Sequence, residues 1–225
     1  MKAFFLLFIF VILPLTSKAL TPDGKRKLVF IAGKPSHPPG MHEFRAGTIL
    51  LEKCLKAVPN LVVDRHEMGW VKDETTFADA DAVVIYADGG AKHPAVVDGH
   101  LETLRALIAK GTGFGCMHYG VEVVADQAGK EFQAWLGGHY ENAFSCNPIW
   151  DASYTVLPVH PITRGVEPFT TKDEWYFHMR FRPAFQDGIR PASDQGTTFS
   201  PILTAVPTDA TRDGPYIVAT VLKEI

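Results

Sequence analysis

The sequence predicts an α/β domain: a doubly wound, mostly parallel sheet covered by helices, followed by an irregular β-rich C-terminal part. Three observations carry this. Short, continuous apolar runs end in glycine or polar turns, as in strands buried on both faces. Between them lie stretches whose apolar residues recur at three- and four-residue steps, as in amphipathic helices. After about residue 142 this alternation gives way to shorter runs separated by proline and glycine.

Leu28-Val29-Phe30-Ile31-Ala32, closed by Gly33, is the first predicted strand. A loop rich in Pro, Gly and His runs to His42. From Glu43 a helix is expected, striped by Phe44, Thr48, Leu51, Leu55 and Val58 and ended by Pro59. Leu61-Val62-Val63 is a second strand, residues 67–80 a loop with a short helix, and Asp81 to Ala87 a third strand ending in Asp88-Gly89-Gly90. Leu101, Leu104, Leu107 and Ile108 stripe a second long helix, closed by Gly111. Thr112 to Met117 is a fourth strand running into His118-Tyr119-Gly120. A helix with Phe132, Trp135 and Leu136 inward should follow. Residues 154–157, 175–177, 202–206 and 217–222 read as short later strands. Right-handed crossovers make the whole arrangement flavodoxin-like.

Residues 1–19 fit the three-part pattern of a signal peptide. Lys2 supplies the positive start, Ala3 to Leu15 the apolar core, and Ser17-Lys18-Ala19 the small-x-small cleavage pattern. The core is too short to span a bilayer, so export to the periplasm or the exterior is expected, without a stable membrane anchor. Residues 20–27 form a polar leader, and 28–225 read as one domain. Losing Lys2 and Lys18 with the signal would move the formal net charge from −3 to −5. Such a chain lacks the basic footprint of a nucleic-acid binder. Three cysteines are too few for a disulfide scaffold. Cys54 is expected on the apolar face of the first helix and Cys116 inside a strand.

In a parallel sheet, ligands sit at the carboxyl ends of the strands. There the sequence places His37 and His42 after the first strand. Asp88, Gly89, Gly90 and His93 follow the third, and His118 follows the fourth. The sharpest feature is Gly115-Cys116-Met117-His118-Tyr119-Gly120. A strand-to-helix elbow needs small residues two before and two after the exposed side chain. Centred on Cys116 the flanks would be Phe114 and His118, both too large. Centred on His118 they are Cys116 and Gly120. His118 at a helix N-terminus would be neutral, a general base or metal ligand. Glu122, four residues on, would share its helix face and orient the ring.

Asp88 before Gly89-Gly90 offers a carboxylate or a backbone-amide pocket for a substrate oxygen, or an ordinary turn. His139 follows Gly137-Gly138 toward the cleft. Glu174, Tyr176 and His178 alternate and so face one side of a strand, as on any half-exposed strand. His66, His93, His100 and His160 read as packed, solvated or turn histidines. No HExxH, CxxC or spaced-carboxylate signature occurs, although the cleft histidines could hold a divalent metal.

The chain resembles the ThuA-like (trehalose utilisation) family, itself akin to class I glutamine amidotransferases. The matching stretches are residues 33–47 (GKPSHPPGMHEFRAG), Asp88-Gly89-Gly90, 110–120 (KGTGFGCMHYG), Gly137-Gly138-His139-Tyr140, His160 to Gly165 and Asp173-Glu174-Trp175-Tyr176. In amidotransferases the elbow carries a cysteine; here His118 matches it. The resemblance implies a role on a small carbohydrate, trehalose or a keto sugar. It also implies further strands after residue 225, so the chain is short at its C-terminus against the family pattern.

Three functions fit. One is a carbohydrate-active enzyme of the keto-sugar hydrolase, hydratase or lyase type. There His118, Glu122, Asp88 and Glu174 would be catalytic. His37, His42, Gly89, Gly90, His139, Tyr176 and His178 would contact substrate. The second is a non-catalytic sugar-binding or accessory module. The third, a cysteine-dependent amidotransferase or hydrolase, needs an exposed thiolate that Cys116 does not offer.

Overall fold

The structure is a computed structural model and describes residues 24–182 and 202–208. The signal peptide and the last expected strand, 217–222, lie outside the described residues. Among those described, no helix is long and apolar enough to cross a membrane.

Four strands form the central parallel sheet: β1 (Arg26–Ala32), β2 (Leu61–His66), β3 (Ala82–Tyr86) and β4 (Gly113–Met117). Their order is β2-β1-β3-β4. β1 is central, pairing Val29 with Asp64 on one side and with Val83 on the other. Its last four residues are buried, which is why they read as an unbroken apolar run. The helices are α1 (Phe44–Leu55), α2 (His100–Ala109) and α3 (Lys130–Leu136). Alternating strands and helices with this order give the expected flavodoxin-like α/β fold.

The core joins Val29, Ile31, Val83 and Ile85 of the sheet to Leu104 and Leu107 of α2 and Phe132 of α3. Phe132 is fully buried and packs edge-to-face on Phe114. Burying one such side chain stabilises the fold by about 1.5–3 kcal/mol.

Several boundaries differ from expectation. α1 stops at Leu55, so Val58 is exposed rather than part of the stripe. Cys54 is exposed as well. It lies about 240° around the helix from buried Thr48, off the packed face. β6 (Ile149–Tyr154) precedes its expected position and pairs antiparallel with β7 (Phe169–Glu174). Residues 175–177 supply only a single bridge, Cys146 with Phe177, and 202–206 form no strand. The two-residue strands β5 (Gly138–His139) and β8 (Arg180–Phe181) pair with each other.

Candidate functional site

The carboxyl ends of β1, β3 and β4 converge. After β1, the chain turns at His42, whose φ is +51°, before α1 begins. After β4, His118 takes φ +54°. Non-glycine residues in this left-handed region are uncommon, and here it holds two imidazoles at neighbouring strand ends. Beyond His118, Gly120 packs under the sheet. A Cβ there would stand 3.3 Å from the Ile85 carbonyl oxygen. This matches the small flank required by an elbow centred on His118.

The expected helix after the elbow does not start there. Residues His118–Val121 form one 3₁₀ turn, and Glu122 is extended at φ −83°, ψ 128°. Glu122 therefore shares no helix face with His118 and makes no hydrogen bond to it. It is buried beside Gly89 and Gly90 in the cleft wall, and burial together with the Asp88 charge raises its pKa. Nor does a helix dipole act on His118. Its pKa is lowered first by burial and then by His42, against opposing pulls from Glu174, Asp173 and Asp88.

His118 is held instead by an ordered chain of side chains. Tyr140 Oη donates to Asn147 Oδ1 at 3.2 Å, and Asn147 Nδ2 donates to Glu174 Oε1 at 2.8 Å. Tyr176 Oη donates to Glu174 Oε2 at 3.1 Å and lies 2.5 Å from His118 Nδ1. With the tyrosine proton committed to Glu174, the network assigns the His118 proton to Nδ1, leaving a lone pair on Nε2. His42 is clamped similarly: its Nδ1 lies 2.7 Å from Asp88 Oδ1. The His37, His42 and His118 rings run in sequence, with centroids 3.8 Å and 4.5 Å apart.

A cleft of about 400 Å³ opens here, lined by His37, Met41, His42, Asp88, Gly89, Tyr119, Glu122, Asn147 and Glu174. His118 adjoins it through His42 and Glu174, with its side chain a quarter exposed. A larger cavity of about 930 Å³, walled by Trp70, His100, Lys34 and Lys92, shares Asp88 and Gly89 with the cleft. The clamped imidazoles and carboxylates meet in the smaller one. Two sets offer ligand atoms within 4.8 Å of one another: His37, His42 and Asp88, and His42, His118 and Glu174.

The structure thus brings together His37, His42, Asp88, Gly89, His118, Glu122, Glu174 and Tyr176. Three expected residues play other parts. Gly90 donates its amide to the Glu122 carbonyl at 3.2 Å, so it offers no free backbone pocket. His139 is buried against Gly129, outside the cleft, with both ring nitrogens unpaired among the described residues. His178 turns away at φ +54° and packs on Phe144 and Phe177. That left-handed residue ends the alternation that keeps Glu174 and Tyr176 together.

Tyr140, Asn147 and Tyr119 were not singled out from sequence. Tyr140 directly follows His139, and neighbouring residues on an extended chain point to opposite sides, so Tyr140 joins the network and His139 does not. Asn147 sits in an irregular segment without periodicity. His93, His100 and His160 are structural. His93 is fully buried; its Nε2–H donates to the Gly120 carbonyl and its Nδ1 accepts from the Ala95 amide. His100 stacks on Trp70, and His160 caps the 3₁₀ turn Pro161–Thr163.

This is an α/β protein with a histidine–carboxylate cleft at its strand ends. The trehalose utilisation (ThuA) family model matches residues 36–201, well over half of the chain, so the protein belongs to the ThuA family. The chain is also similar to the crystal structure of a protein described as putative ThuA-like from Bacteroides uniformis ATCC 8492. The two share 14% identity with a TM-score of 0.51, over 67% of this chain and 60% of that one. A second putative ThuA-like structure, from Parabacteroides merdae ATCC 43184, gives 16% identity and a TM-score of 0.47, over 70% and 64% of the two chains. The chain therefore covers less than two thirds of the length of either. Among curated proteins, none matches.

Proposed function

We propose that the protein acts on a small carbohydrate, trehalose-like or a keto sugar derived from such a disaccharide, by acid–base chemistry in the His118 cleft. The observation that carries this reading is the hydrogen-bond chain that converges on Glu174, with Tyr140 and Asn147 donating from one side and His118 Nδ1 and Tyr176 from the other. It fixes the tautomer with a lone pair on Nε2, the form a general base requires. The His42–Asp88 pair supplies a second oriented imidazole 4.5 Å away, suited to the complementary proton transfer. Proton abstraction beside a sugar carbonyl needs one base and one group to steady the developing enolate oxygen. Glu122, with its raised pKa, can donate a proton to a sugar oxygen. The carbohydrate itself comes from the family, as does kinship with class I amidotransferases, and export rests on the pattern of residues 1–19.

The test is solvent proton exchange. A 3-keto glucoside in deuterated water should gain deuterium beside the carbonyl with the protein present, followed by proton NMR. His118→Ala should slow that exchange by about 10²–10⁴-fold. Sugar binding that His118→Ala leaves intact, without any exchange in the unaltered protein, would assign the cleft to a binding module instead.

A further inference from the structure

We propose that the cleft is a binding site for one divalent transition-metal ion, held by His42, His118 and Glu174. The inference deepens the acid–base reading of the same cleft and rests on it only for what the metal would do.

The argument is geometric. Nδ1 of His42 is occupied by Asp88 at 2.7 Å, and Nδ1 of His118 by Tyr176 at 2.5 Å. Each ring is therefore held in orientation through Nδ1 by an oxygen partner. A histidine anchored through one nitrogen by an oxygen partner, with the other free, is the usual form of a metal-ligating imidazole. Glu174 is anchored in the same sense: Asn147 donates to one carboxylate oxygen and Tyr176 to the other. Each oxygen retains a lone pair. One ring nitrogen of each histidine and one carboxylate oxygen of Glu174 lie within 4.8 Å of one another, and Nδ1 of His118 stands 3.9 Å from Glu174 Oε2.

Two features favour this set over His37, His42 and Asp88. Asp88 already orients His42, so its closer oxygen serves the ring. His37 is held at Nδ1 by Ser36, an exposed hydroxyl at 2.9 Å, rather than by a buried network. Two nitrogens and one oxygen suit zinc, manganese, iron(II) or cobalt(II) and not calcium, whose sites are built from oxygen. Three protein ligands leave positions open for water and for sugar oxygens. An ion there would polarise a bound carbonyl and acidify a bound water.

The experiment uses the full chain, stripped with a chelator and titrated with cobalt(II) and zinc(II). One ion should bind per chain, and cobalt(II) should develop visible d–d absorption. His42→Ala, His118→Ala and Glu174→Ala should each weaken binding by more than about 100-fold, and Asp88→Asn by about tenfold. His160→Ala, which alters only a turn cap, should leave it unchanged. Failure of the unaltered protein to take up a stoichiometric ion would overturn the proposal, and that result needs no variant to fold. Binding that survives His118→Ala and Glu174→Ala but is lost in His37→Ala would overturn it too. The two readings separate cleanly. Deuterium exchange that persists in metal-free protein removes the metal and keeps the acid–base site. Stoichiometric metal without exchange or sugar binding keeps the metal and removes the sugar reading.

Discussion

Nδ1 of His118 lies 2.5 Å from Oη of Tyr176, across 58 residues of sequence, from the turn after β4 to the segment after β7. Tyr176 also donates to Glu174, so one hydroxyl links the strand-end imidazole to the carboxylate at the end of β7. Removing that oxygen isolates the histidine without emptying the space. The Tyr176 ring packs on Tyr119 and Tyr140 with centroids 5.6 Å and 5.4 Å away, contacts that phenylalanine retains. Tyr176→Phe should therefore leave the melting temperature nearly unchanged and lower turnover by about 10–100-fold, the scale of losing a partner that orients a reacting histidine. Steady-state kinetics should place the loss in kcat and not in KM.

Gly89 makes a different prediction, about shape. A Cβ at this position would stand 2.3 Å from Glu122 Cβ, 2.6 Å from the Glu122 carbonyl oxygen and 2.7 Å from that of Tyr119. Two of these are main-chain atoms of the turn after His118, which cannot swing aside. Gly89→Ala should cost about 2–4 kcal/mol, in the range of severe overpacking. A urea midpoint within experimental error of the parent protein would contradict this.

How much of this was open to sequence reasoning depends on the kind of interaction. The sheet was legible because Val29 to Ala32 are buried on both faces and Ala82 to Tyr86 alternate buried with half-buried, so neither strand presents a polar face and both read as continuous apolar runs. The strand ends were legible for the same reason, so His37, His42, Asp88 and His118 fell into one cleft. Glu122 was placed on the wrong partner, because helix spacing was assumed where the chain makes a 3₁₀ turn and then extends. The His118 relay was hidden for a different reason. It joins Tyr140, Asn147, Glu174 and Tyr176 from segments with no shared periodicity, and hydrogen-bond partners across a fold leave no spacing signal. Likewise His178 departs from the site through one positive φ that its residue type does not announce.

His93 predicts how stability varies with pH. It is fully buried, and burial lowers its pKa to about 4, although the Gly120 carbonyl favours the charged form. In the unfolded chain it titrates near 6.5. Since the folded pKa lies below the unfolded one, the unfolded chain binds the extra proton first as pH falls. The neutral ring is therefore without penalty above about pH 6.5, and stability declines as pH drops from there toward 4. The full loss is about 3 kcal/mol, at 1.36 kcal/mol per unit. His93→Gln should remove this component of the slope between pH 6.5 and 4, even though it is less stable at pH 7. Denaturant midpoints across that range, for both proteins, give the comparison.

The cysteines provide the sharpest chemical contrast with enzymes that use a thiol at this elbow. Cys116 lies in β4, two residues before His118, packed against the core, and burial raises its pKa. A thiolate is the attacking form, so this thiol is held in the unreactive state. Cys116 is half-buried and Cys146 fully buried, whereas Cys54 is exposed on α1. Iodoacetamide at pH 7.5 should label Cys54 in the folded protein, and mass mapping should find Cys116 and Cys146 unmodified until denaturant is added. Cys116→Ala should keep deuterium exchange within a few-fold of the parent, while His118→Ala slows it by about 10²–10⁴-fold. Rapid labelling of Cys116 in the native protein, with loss of activity in step, would return the elbow to cysteine chemistry and remove His118 from its centre.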